Sequence, residues 1–154
     1  YGSLYENSPH IALAIYEQHR LDTLSPLEIL NLMKGYVNKM NREFKMKLIL
    51  EHPELGIKKE HQKNLTAHSK KEQIRAGLDS LSSSEYNLLS SLNKEYMTKF
   101  KFPFIIAVSG LNKEEVFRNI QVRLKNTVKV YFNKALEEIH KIAEIRLKNL
   151  QKVI

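Results

Sequence analysis

Several features common in enzymes and secreted proteins are scarce or missing in this sequence of 154 residues. It contains no cysteine, and only five glycines and four prolines. The lack of cysteine excludes disulfides, thiolate nucleophiles and thiolate zinc sites. No stretch approaches the roughly 20 uncharged apolar residues of a membrane span, and the first segment, YGSLYENSPH, lacks the basic and apolar regions of a signal peptide. These absences predict a soluble protein with no membrane partner.

The sequence patterns of many cofactor-dependent and nucleophilic sites are also absent. There is no glycine-rich phosphate loop and no serine elbow. A metal site would need at least two histidines at close helical or loop spacing with a carboxylate nearby, and no pair fits. His61 and His68 share a polar stretch, but their spacing does not suit coordination. We therefore expect no metal.

The chain carries an excess of positive charge. Lys and Arg number 25 against 17 Asp and Glu, which gives a formal charge of +8. Such a charge attracts polyanions non-specifically or helps to draw in a small anionic substrate. The lysines are spread along the whole chain, which is typical of solvated helix faces rather than of one nucleic-acid stripe. On charge alone, a basic all-α module that binds nucleic acid remains an alternative to an enzyme.

The spacing of apolar residues determines the predicted fold. These residues recur at intervals of three and four along most of the chain, which predicts an all-α protein. A chain of 154 residues with 42% apolar content can bury one real core, so residues 1–154 are predicted to form a single compact helical bundle. Only FPFIIAV, residues 102–108, is β-like, and it is predicted to be a short buried extended segment. The polar stretch of residues 56–67 is predicted to be a loop.

Four serines mark predicted helix starts. Ser8 and Ser25 each precede a proline, which suits an N-cap followed by the first helical position. Ser69 and Ser82 each have a glutamate three residues later, at the spacing of a capping box. For Ser69 this glutamate is Glu72, whose carboxylate would then bind the backbone amide of the N-cap.

Local sequence does not by itself identify a catalytic group. His52 ends the apolar run LILEH and precedes Pro53, which disfavours the helical conformation for it, so its ring should lie at or just past a helix end. A histidine there is placed for chemistry, but it also suits the dipole of the helix without any chemical role. Arg146 lies in an apolar run, where its side chain would normally extend to the surface.

Five segments, taken in order, resemble the decarboxylases of 2-oxo-4-hydroxy-4-carboxy-5-ureidoimidazoline (OHCU), which complete the breakdown of urate to (S)-allantoin. They are LYENSPHIA, EHPELG, SKKEQIRAGL, NKEYMTKFKFPFIIAVSG, and RLKN followed by ALEEIHKIAEIRL. The first four are similar to the family patterns Glu-x-Ser-Pro, His-Pro-x-Leu-Gly, Ser-x-x-Glu-Gln-x-x-Ala-Gly-Leu and Asn-x-x-Tyr-x-x-Lys-Phe. The resemblance covers nearly the whole chain, and it implies a carboxy-lyase that acts without a cofactor.

Three residues depart from the family pattern. Lys101 stands where the family usually has glycine, His10 where a tryptophan commonly follows Ser-Pro, and Tyr131 where a glutamate is usual. None of them removes a catalytic group that the resemblance implies. They affect the expected local packing and the expected subunit contact.

The resemblance implies His52, Glu72 and Arg146 as the catalytic residues. His52 would be the general acid, Glu72 would orient its ring or bind substrate nitrogens, and Arg146 would fix a carboxylate or an oxyanion. The backbone of residues 104–108 would hydrogen-bond to the flat ring of a small anionic substrate. The implied substrate-binding residues are Pro53, Ser69, Lys70, Lys71, Gln73, Phe104, Ile105, Ile106, Ala107 and Val108.

The resemblance also suggests a homodimer. The final residues QKVI are not a peroxisomal signal of the Ser-Lys-Leu type, which favours a cytoplasmic location unless such a signal has been trimmed. A family member that has lost its activity and persists as a binding protein is the second alternative.

Overall fold

The computed structural model describes residues 1–56 and 65–153, and these residues contain helices but no strand. The all-α prediction is therefore confirmed. None of the described helices combines the length and the hydropathy that a membrane span requires. Most of the stretch predicted to be a loop, residues 57–64, lies outside the described residues. The helices are α1 (His10–Gln18), α2 (Pro26–Lys39), α3 (Arg42–Leu50), α4 (Ala67–Arg75), α5 (Ser83–Phe100), α6 (Lys113–Leu124) and α7 (Val128–Val153), with a 3₁₀ turn at Leu21–Thr23.

The long helix α7 lies at the centre of the core. It packs against α2, α3 and α5, while α1 packs on α2 and α6 packs on α5. The apolar residues that recur at helical spacing form the buried face of α7: Ala135, Leu136, Ile139, Ile142, Ala143 and Leu147. Arg146 belongs to the same face and is only 2% exposed, so the interpretation of Arg146 as a surface residue is wrong.

Residues 102–108 connect α5 to α6 through the interior. They form neither a helix nor a strand, and every one of them is buried. Phe102 and Phe104 pack edge-on against Tyr96 of α5, with ring centroids 6.2 Å and 5.4 Å apart. The prediction of a buried segment that interrupts the helices is confirmed. This segment forms one wall of the site described below.

Two of the four predicted helix starts need correction. Ser25 and Ser82 cap α2 and α5 with complete capping boxes, as predicted. Ser8 does not cap α1, because its hydroxyl donates a hydrogen bond to the carbonyl oxygen of Glu6 and Pro9 takes the N-cap position.

Ser69 does not begin α4 either. The helix starts at Ala67, and the side chain of its N-cap, Thr66, accepts a hydrogen bond from the backbone N–H of Ser69. Ser69 therefore lies in the first turn of α4, and Glu72 lies one turn further along. The predicted capping box is wrong, so the Glu72 carboxylate is free for another task.

The three departures from the family pattern each have a local structural context. The His10 ring packs edge-on against Phe44 at 5.5 Å between centroids. Tyr131 packs edge-on against Phe100 at 5.6 Å, and its hydroxyl accepts a hydrogen bond from the side chain of Asn126. Lys101 follows the last residue of α5 in the left-handed conformation, with φ at 64°.

Replacing Lys101 by glycine should stabilise the protein. A side chain in the left-handed region costs roughly 1 to 2 kcal/mol, and glycine adopts this region freely although it also loosens the unfolded chain. The Lys101 side chain is exposed, so little packing is lost. We expect Lys101→Gly to raise the free energy of unfolding, measured by chemical denaturation, by about 0.5 to 1 kcal/mol.

The control for this prediction is a lysine inside α5. Lys94 is exposed within α5, where glycine should instead lower the free energy of unfolding by about 1 kcal/mol. A loss of stability in both variants would show that the left-handed conformation of Lys101 carries no strain.

Candidate active site

His52 lies just beyond the end of α3, as predicted. The helix ends at Leu50, and the His52 ring turns back so that Nδ1 is 3.0 Å from the carbonyl oxygen of Leu48. Because a carbonyl oxygen can only accept a hydrogen bond, Nδ1 carries the hydrogen of the neutral ring. Nε2 is then unprotonated, and it is the ring nitrogen left for the pocket that His52 lines.

Burial keeps the His52 ring neutral. His52 is 8% exposed, and this loss of hydration lowers its pKa to about 4. The hydrogen bond to Leu48 and the charge of Glu6 act in the opposite direction, while the charge of Arg146 lowers the pKa further. At neutral pH the imidazole can therefore accept a proton at Nε2 before it donates one.

Arg146 reaches across the interior from α7 and binds two carboxylates. Its Nη2 is 2.7 Å from Glu6, while its Nε and Nη2 lie 2.8 Å and 3.1 Å from the two oxygens of Glu72. The second pair has the parallel geometry of a fork-shaped guanidinium on a carboxylate. Among the described residues, the remaining nitrogen, Nη1, makes only long contacts, 3.4 Å and 3.5 Å, to the carbonyl oxygens of Leu4 and Ser3.

Glu6 is a buried acid that reasoning from local sequence missed. It is 2% exposed, and its oxygens accept hydrogen bonds from Thr66 at 2.6 Å and Ser69 at 2.8 Å besides the bond from Arg146. Burial alone would raise the pKa of Glu6, but the bond from Thr66, the charge of Arg146 and the other bonds hold it below the ordinary value. The available signal was its place in the Glu-x-Ser-Pro segment.

Glu72 points its carboxylate at Arg146 and at the pocket. It is less buried than Glu6, and Arg146 is its hydrogen-bond partner among the described residues. No hydrogen bond joins Glu72 to His52 within that part of the chain. The expectation that Glu72 orients the His52 ring therefore finds no support in the geometry, whereas its second expected task, binding substrate nitrogens, is sterically open.

Gln73 fixes the loop that carries His52. Its Oε1 accepts a hydrogen bond from the backbone N–H of Gly56 at 2.9 Å, and its Nε2 donates a longer one to the carbonyl of Glu54. Gly56 has φ at +74°, in the left-handed region, and an added Cβ would lie 2.5 Å from Cδ2 of the buried Leu89. Only glycine fits this turn without strain.

Replacing Gly56 by alanine should therefore damage both stability and the site. The left-handed conformation and the contact with Leu89 together should lower the free energy of unfolding by about 2 to 4 kcal/mol, measured by chemical denaturation. Gly35→Ala is the matched control, because Gly35 lies inside α2 with no heavy atom near the added methyl. The control should gain about 0.5 to 1 kcal/mol, and equal losses in both variants would contradict the prediction.

The side chains of His52, Glu72 and Arg146 line one pocket between α4, α7 and the segment that follows α5. It contains about 370 Å³ of space outside the protein atoms, part of it open to solvent. Its lining residues are His52, Pro53, Leu55, Ser69, Glu72, Gln73, Phe104, Ile105, Ile106, Val108, Ile142 and Arg146. Within residues 1–56 and 65–153, no three histidine, aspartate or glutamate side chains are placed to hold a metal ion.

Three predicted substrate-binding residues do not line this pocket. Lys70 and Lys71 lie on the exposed side of α4, because the turn that buries Ser69 and Gln73 directs them to solvent. Ala107 also lies outside the lining, and its backbone N–H is already bound to Glu138 at 2.9 Å. Leu55 and Ile142, which were not predicted, supply apolar surface instead.

Comparison with known proteins gives one consistent family. Residues 1–148 match the sequence model of the OHCU decarboxylase family. The OHCU decarboxylase of Haloferax volcanii is 35% identical over 147 residues, which cover 96% of this chain and 84% of that protein. A uric acid degradation bifunctional protein of a Bacillus species is 38% identical over 149 residues, but the match spans 97% of this chain and only 28% of that longer protein.

Solved structures agree with the sequence comparison. A crystal structure of OHCU decarboxylase in the presence of (S)-allantoin superposes with a TM-score of 0.75 and 25% identity, covering 94% of this chain and 92% of that one. A crystal structure of (S)-allantoin synthase gives a TM-score of 0.75 and 29% identity, covering 96% of this chain and 47% of that one. The chain therefore belongs to the OHCU decarboxylase family.

Proposed function

We propose that this protein is a carboxy-lyase that converts OHCU to (S)-allantoin, a step of urate degradation, without a metal or an organic cofactor. One observation carries the proposal: the chain belongs to this family, and its pocket holds a neutral His52 among apolar side chains. The charged cluster of Glu6, Glu72 and Arg146 lies beside the same pocket. The formal charge of +8 suits an anionic substrate.

The substrate itself can receive the electrons released by decarboxylation. Its carboxyl and hydroxyl groups share ring carbon 4, and ring carbon 5 carries the ureido group and a double bond to nitrogen. When the bond to carbon dioxide breaks, its electron pair forms a double bond between carbons 4 and 5, and the ring nitrogen takes up a proton. The hydroxyl proton then leaves as carbon 5 is protonated, which gives allantoin.

His52 is suited to move the second proton. Because its ring is neutral at rest, Nε2 would first accept the proton of the hydroxyl on carbon 4 and then donate it to one face of carbon 5. The hydrogen bond from Nδ1 to Leu48 fixes the ring during both steps. Delivery to one face is what makes a single enantiomer.

Arg146 acts through Glu72 rather than directly on the substrate carboxylate. Its Nε and Nη2 are engaged by Glu72 and Glu6, so a substrate carboxylate would have to displace a buried partner. The bond to Arg146 orients the Glu72 carboxylate, and its free lone pairs can accept hydrogen bonds from the ureido N–H groups. Glu6, Ser69 and Thr66 keep Arg146 in that position.

The pH dependence of the reaction should reveal the resting state of His52. If neutral His52 starts the reaction, kcat/KM should be constant from about pH 5 to pH 8 and should fall below about pH 4, where the ring becomes protonated. Initial rates with substrate generated in place at each pH measure this profile. A decline of about tenfold per pH unit above pH 4 would instead mean that the resting enzyme must hold the proton.

The proposed activity is tested by the rate of substrate loss. We expect purified protein to accelerate the decay of freshly generated OHCU in proportion to its concentration, with no change when EDTA is added. A folded protein that leaves the decay at the rate of buffer alone would be a family member without activity.

A homodimer and a cytoplasmic location remain part of this proposal. The family resemblance supports the dimer. Sedimentation at several protein concentrations tests the dimer, since a mass that stays near 18.0 kDa would refute it.

A further inference from the structure

A second buried ion pair lies behind the wall of the pocket. Arg123 of α6 and Glu138 of α7 are 5% and 3% exposed, and Arg123 Nη2 is 3.3 Å from Glu138 Oε1. Neither residue lines the pocket that contains His52, and both line a separate groove on the other side of Ile106 and Ala107.

Both residues of this ion pair form hydrogen bonds with the backbone of the pocket wall, residues 104–108. Arg123 Nη1 donates a hydrogen bond to the carbonyl oxygen of Ile105 at 2.5 Å, and Glu138 Oε2 accepts one from the N–H of Ala107 at 2.9 Å. The Arg123 guanidinium also lies 4.9 Å from the ring centroid of Phe104. Two side chains from two different helices therefore hold successive peptide groups of one irregular segment.

The two bonds determine how the peptide groups of Ile106 point. The described residues contain no cis peptide bond, and in a trans peptide the C=O and the N–H point in opposite directions. Since the Ile105 carbonyl points at Arg123, the Ile106 N–H points away from it. Since the Ala107 N–H points at Glu138, the Ile106 carbonyl points away from that residue as well.

Ile106 thus presents both of its backbone polar groups to the side of the pocket. Among the residues that the structure describes, neither its N–H nor its C=O has a hydrogen-bond partner, although Ile106 is only 7% exposed. Buried peptide groups normally have partners, and leaving one unpaired destabilises the folded protein. A ligand with a neighbouring donor and acceptor would satisfy both groups.

We propose that Arg123 and Glu138 are positioning residues, which hold Ile106 so that its N–H and C=O bind an adjacent C=O and N–H of the substrate. This inference rests on the proposed function, because OHCU offers such an edge in its ring amide and in its ureido group. By fixing the ring against this wall, the ion pair determines which face of carbon 5 meets His52.

The charge of Glu138 is suited to this task. Burial alone would raise its pKa, but the bond from Ala107 and the charges of Arg123, Lys141 and Lys134 hold the pKa below its ordinary value. Glu138 is therefore a carboxylate at neutral pH, and a charged acceptor binds the Ala107 N–H more strongly than a neutral one would.

The test variant replaces both charges together. Exchanging a buried ion pair for apolar residues of similar volume is often neutral for stability, but Arg123→Met/Glu138→Met also leaves the Ile105 C=O and the Ala107 N–H without partners. We therefore expect this variant to fold with a lowered free energy of unfolding. We expect kcat/KM to fall by roughly tenfold to a hundredfold, because the ring is no longer held in register with His52. After correction for spontaneous decay, the enantiomeric excess of the allantoin should also fall.

A matched control and a rescue variant separate positioning from stability. Lys34→Met/Glu144→Met removes an ion pair of 3.3 Å that also involves α7 but does not touch the pocket wall. This control should keep its rate and its enantiomeric excess. Glu138→Gln retains an acceptor for the Ala107 N–H, so its enantiomeric excess should stay near that of the parent.

Three outcomes would overturn the inference. In a folded double methionine variant, kcat/KM within twofold of the parent and an unchanged enantiomeric excess would remove any positioning role. If that variant does not fold, Arg123→Met alone takes its place, because Glu138 still pairs with Lys134 and Lys141 there while the Ile105 carbonyl loses its donor. An unchanged kcat/KM and enantiomeric excess in Arg123→Met would have the same meaning. A parent protein that neither turns over OHCU nor binds (S)-allantoin in calorimetry would overturn the proposed function as well.

Discussion

Replacing His52 by asparagine should lower kcat by about 10² to 10⁴-fold, the usual contribution of general acid and base catalysis. The ring is neutral at rest, so a neutral amide in its place leaves no buried charge behind. The asparagine N–H can still donate to the Leu48 carbonyl. We therefore expect the variant to fold normally, to bind (S)-allantoin, and to lose the chemical step.

The surface histidine His19 gives the control for this prediction. It is exposed at the end of α1, far along the chain from the pocket lining, so His19→Asn should retain the rate of the parent. The measurement is kcat from initial rates at saturating substrate. A His52→Asn variant that keeps kcat within about threefold of the parent would assign proton transfer to another group.

Replacing Arg146 by methionine should have the largest effect on stability. It would leave the Glu6 carboxylate, whose side chain is 1% exposed, buried without its cation. Removing one partner of a buried pair costs about 3 to 5 kcal/mol. Glu72 would lose its orientation at the same time, so activity should also fall in the fraction of molecules that remain folded.

A double variant tests whether the effect comes from the orphaned charge. Glu6→Gln/Arg146→Met removes both charges and should be more stable than Arg146→Met alone, although the catalytic rate should stay low because Glu72 is still unheld. Arg118→Met, at an exposed arginine of α6, is the control and should change stability by less than about 0.5 kcal/mol. Losses that simply add in the double variant, measured by chemical denaturation, would show that the two residues are not coupled.

The fold could be predicted largely from patterns of one or a few residues. Apolar spacing identified the helices, and the Ser25 and Ser82 caps identified two of their starts, because these signals are local. His52 was placed correctly for the same reason, since the proline after it ends the helix. The family resemblance supplied Glu72 and Arg146, which no local pattern distinguishes from ordinary helix residues.

The rest of the site depends on contacts between distant parts of the chain. Glu6 becomes a buried acid only because α7 brings Arg146 to it, 140 positions away in sequence. The hydrogen bonds from Arg123 to Ile105 and from Ala107 to Glu138 are equally non-local. Ser69 was misread as a cap because Thr66 supplies a competing cap three residues earlier, and the two local signals cannot be ranked without the tertiary structure.

The handedness of the product shows whether His52 delivers the proton to one face of carbon 5. OHCU generated in place by urate oxidase and hydroxyisourate hydrolase is followed by circular dichroism with the parent protein and with His52→Asn. We expect a rapid (S)-allantoin signal with the parent and a slow, racemic product with the variant. Racemic product at the rate of buffer with both proteins would contradict it, and so would a rapid (S)-allantoin signal with both.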